Sequence, residues 1–123
     1  MNWSAIAAIL LCLAVMLGAF GAHSLRARLD AYSMGVYEKA AFYHFIHALG
    51  LLVVSILPRT GVLPERAGSW VCWLLFVGIL VFSGSLYLLA VTGASRLGAV
   101  TPIGGLSFIA GWLLLAYWLI RGR

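Results

Sequence analysis

The sequence predicts an all-α membrane protein, in which four transmembrane helices form an antiparallel bundle with a short amphipathic helix between the first and second spans. Two observations lead to this prediction. Of the 123 residues, 64% are hydrophobic and only 9% are charged, whereas a soluble domain carries charge on about a quarter of its residues. The apolar residues also gather into segments long enough to cross a bilayer, which takes roughly 20 residues of helix.

Four segments without Asp, Glu, Lys or Arg reach this length, at about Trp3–Ala22, Ala40–Leu57, Ser69–Val91 and Pro102–Ile120. Pro58 follows the second segment, and Gly93 lies where a helix C-cap after the third is expected. Thr101 and Pro102 predict the start of the fourth helix, with an N-cap hydroxyl and a proline at the first helical position. The short second and third loops predict antiparallel neighbours. We therefore expect residues 1–123 to form a single membrane domain.

The connection between the first two spans, residues 23–39, carries a helical pattern. Its apolar residues recur at spacings of three and four, which places them on one stripe of a helix. They are Leu25, Leu29, Tyr32 and Val36. Arg26 and Asp30 lie on another face, where they can pair weakly. We expect a short amphipathic helix at the membrane interface, either separate from the second span or continuous with it, with Ser33–Gly35 as the favoured break.

Small residues recur on one face of two spans and predict that other helices approach closely there. In the first span they are Ala14, Gly18 and Ala22, and in the fourth they are Gly104, Ser107 and Gly111. Packing within one bundle is favoured over the alternative, which is a seam between the copies of a homo-oligomer.

The net charge of +5 comes from eight basic and three acidic residues. The basic residues are scattered singly, which disfavours a nucleic-acid partner and is typical of loops held against anionic membrane lipids. With four spans, both termini and the second loop share one face of the membrane, and the first and third loops share the other. Four basic residues fall on the terminal face, namely Arg59, Arg66, Arg121 and Arg123, and four on the opposite face, namely Arg26, Arg28, Lys39 and Arg96. This tie leaves the orientation open.

The chemically active side chains are predicted to gather at the face formed by the first and third loops. His23 ends the first span, and His47 lies about two turns inside the second. An ionisable residue within a membrane is costly and usually marks a partner or a function. The candidate ligand-binding residues at this face are His23, His47, Ser83, Ser85, Tyr87, Arg96, Thr101, Gly104 and Gly105. We expect them to hold a lipid headgroup, a quinone-like molecule or a partner subunit.

Each of these residues also has a structural interpretation. His23 can bond the last carbonyls of its helix, and His47 can be satisfied by a serine or tyrosine of the third span. Gly104 and Gly105 can make room for a neighbouring helix, or can open a helix N-terminus to a phosphate, a carboxylate or a quinone carbonyl. His44 is the nearest of the second-span histidines to water and is interpreted as an interfacial residue.

Other classes of function are less favoured. An oligomeric transporter or channel is one alternative, but four short helices enclose little space and no ionisable residue is expected at mid-membrane. A haem or metal protein that uses His23 and His47 is another, but acidic, cysteine and further histidine ligands are missing at suitable spacing. An enzyme is disfavoured because no nucleophile occurs beside a base and an orienting group. The sequence identifies no cofactor.

Short motifs occur in order along nearly the whole chain. They are GAFGAHSL at 18–25, HAL at 47–49, FSGSLY at 82–87, TG at 92–93, LG at 97–98, TPIGG at 101–105 and GW at 111–112. In these motifs the chain resembles the domain of unknown function 423, a family of small bacterial four-span membrane proteins with a mitochondrial relative, transmembrane protein 256. The resemblance implies a multi-pass protein of the bacterial or mitochondrial inner membrane. His44 departs from the family pattern, where a residue such as Gln is usual, and this weakens a three-histidine metal site.

Overall fold

The computed structural model describes residues 1–122, which form α-helices joined by short turns. The helices are α1 (Trp3–Phe20), α2 (Ala31–Ile56), α3 (Glu65–Gly78), α4 (Gly84–Thr92) and α5 (Thr101–Arg121). A π-helical turn, Gly21–Leu25, continues α1, and a second, Ile79–Ser83, joins α3 to α4. Turns of 3₁₀-helix follow α2 at Leu57–Thr60 and precede α5 at Ser95–Ala99. Arg123, counted above among the basic residues of the terminal face, lies outside the described residues.

Together these helices build four segments that are long and apolar enough to cross a membrane. They are Trp3–Leu25, Ala31–Thr60, Glu65–Thr92 and Ser95–Arg121. The predicted four-span fold is therefore confirmed, and each span is longer than the apolar segment that predicted it. Large apolar side chains cover the outside of the bundle, and more than half of the surface of Ile9, Val15, Leu106, Leu113 and Ile120 is exposed. Such a surface suits lipid hydrocarbon, which solvates apolar side chains in every direction.

Neighbouring spans run antiparallel, as predicted. The Tyr37 hydroxyl donates to the Leu17 carbonyl at 2.6 Å, and His44 Nε2 lies 2.8 Å from the Leu10 carbonyl oxygen. Residues later in α2 therefore meet residues earlier in α1. The second span is the central one, because α2 packs against α1, α3 and α4, while α5 packs chiefly against α3 and the π-helical turn that follows it.

Two clusters of buried apolar side chains hold the spans together. The larger cluster occupies the centre and terminal half of the bundle and includes Leu51, Leu75 and Phe108. The smaller cluster lies near the first and third loops and consists of Leu25, Met34, Tyr37 and Ala90. Lipid is as apolar as these side chains, so close van der Waals packing and interhelical hydrogen bonds must supply most of the attraction between spans.

Of the two arrangements left open for this connection, the structure shows the continuous one, and the predicted break at Ser33–Gly35 is wrong. Residues from Ala31 onward belong to α2, which runs without a break through Ser33–Gly35. Asp30 caps this helix by accepting a hydrogen bond from the Ser33 backbone N–H at 2.8 Å, and that bond lowers the pKa of the Asp30 carboxyl below its ordinary value. With Asp30 so engaged, Arg26 pairs instead with Glu38, at 3.0 Å.

The apolar stripe of this connection is only partly buried. Leu25 is buried, and Leu29 and Val36 pack beside it, but Tyr32 is 73% exposed. The four residues of the pattern do not share one helix: Leu25 ends the first span, Leu29 lies in the turn, and Tyr32 and Val36 belong to α2. The extra turns lengthen the second span on the side of the first and third loops.

The small residues of the fourth span pack within the bundle, as favoured from the sequence. A Cβ atom on Gly104 would lie 2.8 Å from Phe82 Cα, and one on Gly111 would lie 3.1 Å from a Leu75 methyl. The Ser107 hydroxyl donates to the Leu74 carbonyl at 2.6 Å. The corresponding face of the first span packs less fully: Ala14 is buried, whereas Gly18 and Ala22 are exposed and a Cβ added to Gly18 would meet nothing within 4 Å.

Candidate functional site

His44 lies inside the bundle, contrary to its interpretation as an interfacial residue, and only 4% of its surface is exposed. Its Nε2 is 2.8 Å from the Leu10 carbonyl oxygen, and its Nδ1 is 2.9 Å from the Tyr87 hydroxyl. A carbonyl can only accept, so Nε2 carries the proton, and in the neutral ring Nδ1 accepts from Tyr87. The imidazole thereby connects the first, second and third spans.

His47 lies one turn further along the same face of α2 and uses its nitrogens differently. Its Nδ1 is 2.9 Å from the Tyr43 carbonyl oxygen of its own helix, so Nδ1 is the protonated nitrogen. Nε2 is then the nitrogen with a free lone pair, and no other residue among 1–122 hydrogen-bonds to it. His47 therefore presents an unused acceptor.

Aromatic side chains surround this acceptor. The His47 ring stacks on Phe108 with 3.6 Å between ring centroids, and Trp112 and Tyr43 each lie 5.8 Å away by the same measure. His47 is 6% exposed, and no fully enclosed side-chain nitrogen or oxygen among the described residues lacks a partner. Nε2 therefore retains access to the outside of the bundle, between α2 and α5, where the rings of Tyr43 and Trp112 are partly exposed.

The depth of both histidines differs from the expectation. The second span runs from Ala31 to Thr60, and His47 lies close to its middle. At this level it faces Phe108, which is close to the middle of the fourth span. The apolar segment that predicted the second span starts near residue 40, and for that reason no ionisable residue was expected at mid-membrane. That expectation was wrong, because the cap at Asp30 adds more than two turns to the helix.

The serines of the third span are satisfied within the protein. Ser83, at the end of the π-helical turn, donates to the Ala40 carbonyl at 2.9 Å. Ser85 donates to the Phe82 carbonyl at 3.0 Å, and its hydroxyl oxygen lies 2.6 Å from that of Thr101. These bonds connect the third span to the second and the fourth. π-Helical turns often occur at functional sites, and the one polar side chain of this turn, Ser83, bonds the neighbouring second span.

The start of the fourth span is closed by its neighbours. Val100, and not Thr101, occupies the N-cap position, and the Thr101 hydroxyl turns inward to the Leu97 carbonyl at 3.2 Å. Gly104 lies against the Phe82 backbone, while a Cβ on Gly105 would make only ordinary contact with the Phe82 ring. The predicted N-cap hydroxyl is therefore wrong, and Gly104 makes room for a neighbouring helix.

His23 and Arg96 lie apart from the buried histidines. Both are exposed, and neither side chain forms a hydrogen bond or an ion pair with another residue of the described chain. The contacts between α1 and α2 place His23 opposite Ala31, about 24 Å along the helix axis from His47. One haem iron cannot reach both rings within one chain, and residues 1–122 contain no cluster of three His, Cys, Asp or Glu side chains. The proposed pairing of His23 with His47 as ligands is therefore wrong.

Two residues of the polar network were not among the sequence candidates, His44 and Tyr37. Tyr37 is buried, donates to the first span and meets the Tyr87 ring edge-on at 5.2 Å. A signal for both was present in the sequence. The buried positions of α2 recur every three or four residues, at Met34, Tyr37, Ala40, His44, His47, Leu51 and Val54. This periodicity begins well before Ala40, where the apolar segment that predicted the second span starts.

The comparisons with known proteins give a consistent result. The family described as Protein of unknown function (DUF423) matches residues 17–105. The UPF0382 membrane protein of Staphylococcus haemolyticus is 51% identical over 98 residues, which cover 80% of this chain and 78% of the relative. That of Staphylococcus saprophyticus is 52% identical over 103 residues, with 84% and 83% covered. The UPF0382 membrane protein YwdK of Bacillus subtilis is 46% identical over 105 residues, which cover 84% of this chain and 83% of the relative. No solved structure matches the chain.

Proposed function

The chain belongs to the DUF423 family and is a multi-pass membrane protein; because neither fact assigns an activity, we propose a function from the geometry around His47. The protein binds a small amphipathic molecule that dissolves in the bilayer and carries a hydroxyl group. His47 Nε2 accepts a hydrogen bond from that hydroxyl. The observation that carries the proposal is the unpaired lone pair of Nε2, which lies near mid-membrane among aromatic side chains.

The surroundings of His47 favour a hydroquinone-like ligand over a phospholipid headgroup. Tyr43 and Trp112 offer partly exposed aromatic surface, the buried Phe108 supports the His47 ring, and none of the three carries charge. An anionic headgroup is instead attracted by Lys and Arg near the membrane surface. An aromatic ligand packs well on such side chains in offset or edge-to-face contact. A mostly apolar site with one polar group that fixes orientation is usual for small molecules.

The depth of the site makes the single acceptor important. In hydrocarbon a ligand hydroxyl finds no water, so an unpaired imidazole nitrogen offers a bond that the lipid cannot. A net hydrogen bond contributes about 0.5–1.5 kcal/mol, which corresponds to roughly a two- to twelvefold change in affinity. His44 cannot take this role, because both of its ring nitrogens are already bonded.

The proposal is tested by measuring the binding of a short-chain alkylhydroquinone to the purified protein in lipid nanodiscs. The variant His47→Phe keeps an aromatic ring beside Phe108 but removes the acceptor, and we expect it to bind about tenfold more weakly. The dimethyl ether of the same hydroquinone lacks the hydroxyl and should bind equally to both proteins. Ile109→Ala changes an outward-facing side chain, 56% exposed, and should bind the hydroquinone like the wild type.

Two results would contradict the proposal. One is equal affinity of the alkylhydroquinone for the wild type and for a folded His47→Phe variant. The other is the absence of saturable binding by the wild type.

A further inference from the structure

A cavity of about 600 Å³ opens at the terminal face, on the opposite side of the bundle from the first and third loops. The start of α1, the end of α2 and the start of α3 enclose it. Its polar lining includes Ser4, Ser55, Arg59, Glu65, Arg66 and Ser69. The volume falls within the range of about 300–1,000 Å³ that is common for ligand sites.

The charge of this cavity suits an anion. The guanidinium groups of Arg59 and Arg66 form no hydrogen bond or ion pair with any residue among 1–122, and both side chains are exposed. Glu65 is the one carboxylate in the lining, so the two arginines outweigh it. Ser4 and Ser55 bond each other at 2.9 Å. Arginine binds phosphate oxygens through paired N–H groups, which makes a phosphate the best-matched ligand.

An apolar groove continues from the same arginine. It has a volume of about 600 Å³, shares Arg66 and Ser69 with the cavity, and passes Trp70 and Trp73 to reach Val77. From Arg66 to Val77 the helix advances about 16 Å, close to half of the roughly 30 Å hydrocarbon thickness. The groove therefore extends from the headgroup level, where tryptophan is enriched, to about the middle of the bilayer.

We propose that this cavity and groove bind one anionic phospholipid, with its phosphate between Arg59 and Arg66 and an acyl chain along Trp70, Trp73 and Val77. A free phosphate would use the charged cavity alone, whereas a phospholipid uses both parts. The site is independent of His47, which lies between α2 and α5, so either proposal can fail without the other.

The experiment compares phosphatidylglycerol with phosphatidylcholine, by native mass spectrometry of the protein released from mixed-lipid nanodiscs. The double variant Arg59→Gln/Arg66→Gln should bind phosphatidylglycerol roughly 30-fold more weakly, since each arginine near the surface adds about fivefold. The matched control is Arg28→Gln/Lys39→Gln, which removes the same charge from exposed residues of the opposite face and should retain the lipid. Trp70→Ala shortens a groove side chain that is 58% exposed. It should weaken the binding of phosphatidylglycerol but not that of inorganic phosphate.

Equal loss of phosphatidylglycerol in the two double variants would overturn the proposal, because the net charge of the protein alone would then explain the attraction. Unchanged retention in Arg59→Gln/Arg66→Gln would also overturn it. Full affinity for phosphatidylglycerol in Trp70→Ala, with inorganic phosphate competing for the cavity, would identify a free-phosphate site instead. Arg59→Lys/Arg66→Lys keeps the charge but not the paired N–H groups and should fall between the wild type and the glutamine variant.

Discussion

His44 and His47 lie one turn apart on the same face of α2, yet their rings present opposite nitrogens. His44 donates from Nε2 and accepts at Nδ1, so it has no remaining capacity for a ligand. His47 donates from Nδ1 to its own helix and leaves Nε2 free. The difference arises from what each ring meets, because His44 points between spans and His47 points to the aromatic boundary with α5. One histidine is therefore structural, and the other is available for binding.

Replacing His44 should destabilise the bundle more than replacing His47. In His44→Phe the hydroxyl of the half-buried Tyr87 loses its partner, and we expect unfolding in detergent to show a loss of about 1–2 kcal/mol. His44→Gln should retain most of the stability, because an amide carries both a donor and an acceptor. A double-mutant cycle with Tyr87→Phe should give a coupling energy of about 0.6–1.7 kcal/mol.

The control for this cycle is Phe45→Leu, on an adjacent side chain that is 46% exposed. It should leave the stability near that of the wild type. Strictly additive losses in His44→Phe and Tyr87→Phe would mean that their hydrogen bond contributes nothing to the fold.

At the scale of elements, hydropathy was sufficient to predict the four spans but not their lengths or their inward faces. Residues 31–39, which include the polar Ser33, Glu38 and Lys39, carry α2 past the apolar segment, because Asp30 caps the helix and Tyr37 is buried against the first span. A hydropathy window cannot register either contact. The same limit explains why Thr101 was predicted to be an N-cap residue. Its hydrogen bond with Ser85 depends on how the third and fourth spans pack.

The contact between the third and fourth spans gives a sharp test of packing. Gly104→Ala should destabilise the protein by about 1–3 kcal/mol, because the added Cβ meets the Phe82 backbone, which cannot move aside as a flexible side chain would. Gly105→Ala, at the neighbouring position, meets nothing closer than 3.8 Å. It should be neutral or slightly stabilising, since alanine favours the helix.

The comparison is made by thermal unfolding of the two variants in the same detergent. Equal effects of the two substitutions would show that the fourth span does not approach the third at Gly104. This pair controls for helix propensity, because the same residue change is made at adjacent positions.

At the scale of the whole molecule, the sequence predicted the class, the span count and the antiparallel order, since these follow from apolar segments and short loops. The grouping of the candidate site did not follow in the same way. His23 and Arg96 are exposed at the face of the first and third loops, whereas Ser85 bonds Thr101, and Ser83 and Tyr87 bond the second span. Which of these groups remain free depends on helix register and rotation, and a single sequence specifies neither.

Both proposed binding sites therefore lie away from the face formed by the first and third loops, where binding was predicted from the sequence. The polar groups near the first and third loops connect the spans, while potential binding groups occur at mid-membrane and at the terminal face. His47 offers an acceptor among aromatic rings, and Arg59 and Arg66 offer positive charge beside an apolar groove. The two sites differ in chemistry, so their ligands should not compete.

The assignment of His44 to structure and His47 to binding is tested most directly by ¹⁵N NMR of the histidine side chains, recorded in lipid bilayers with and without the alkylhydroquinone. We expect opposite neutral tautomers, with the proton on Nε2 of His44 and on Nδ1 of His47. Addition of the hydroquinone should shift the Nε2 resonance of His47 and leave His44 unchanged. A protonated Nε2 on His47, or a shift confined to His44, would contradict the account.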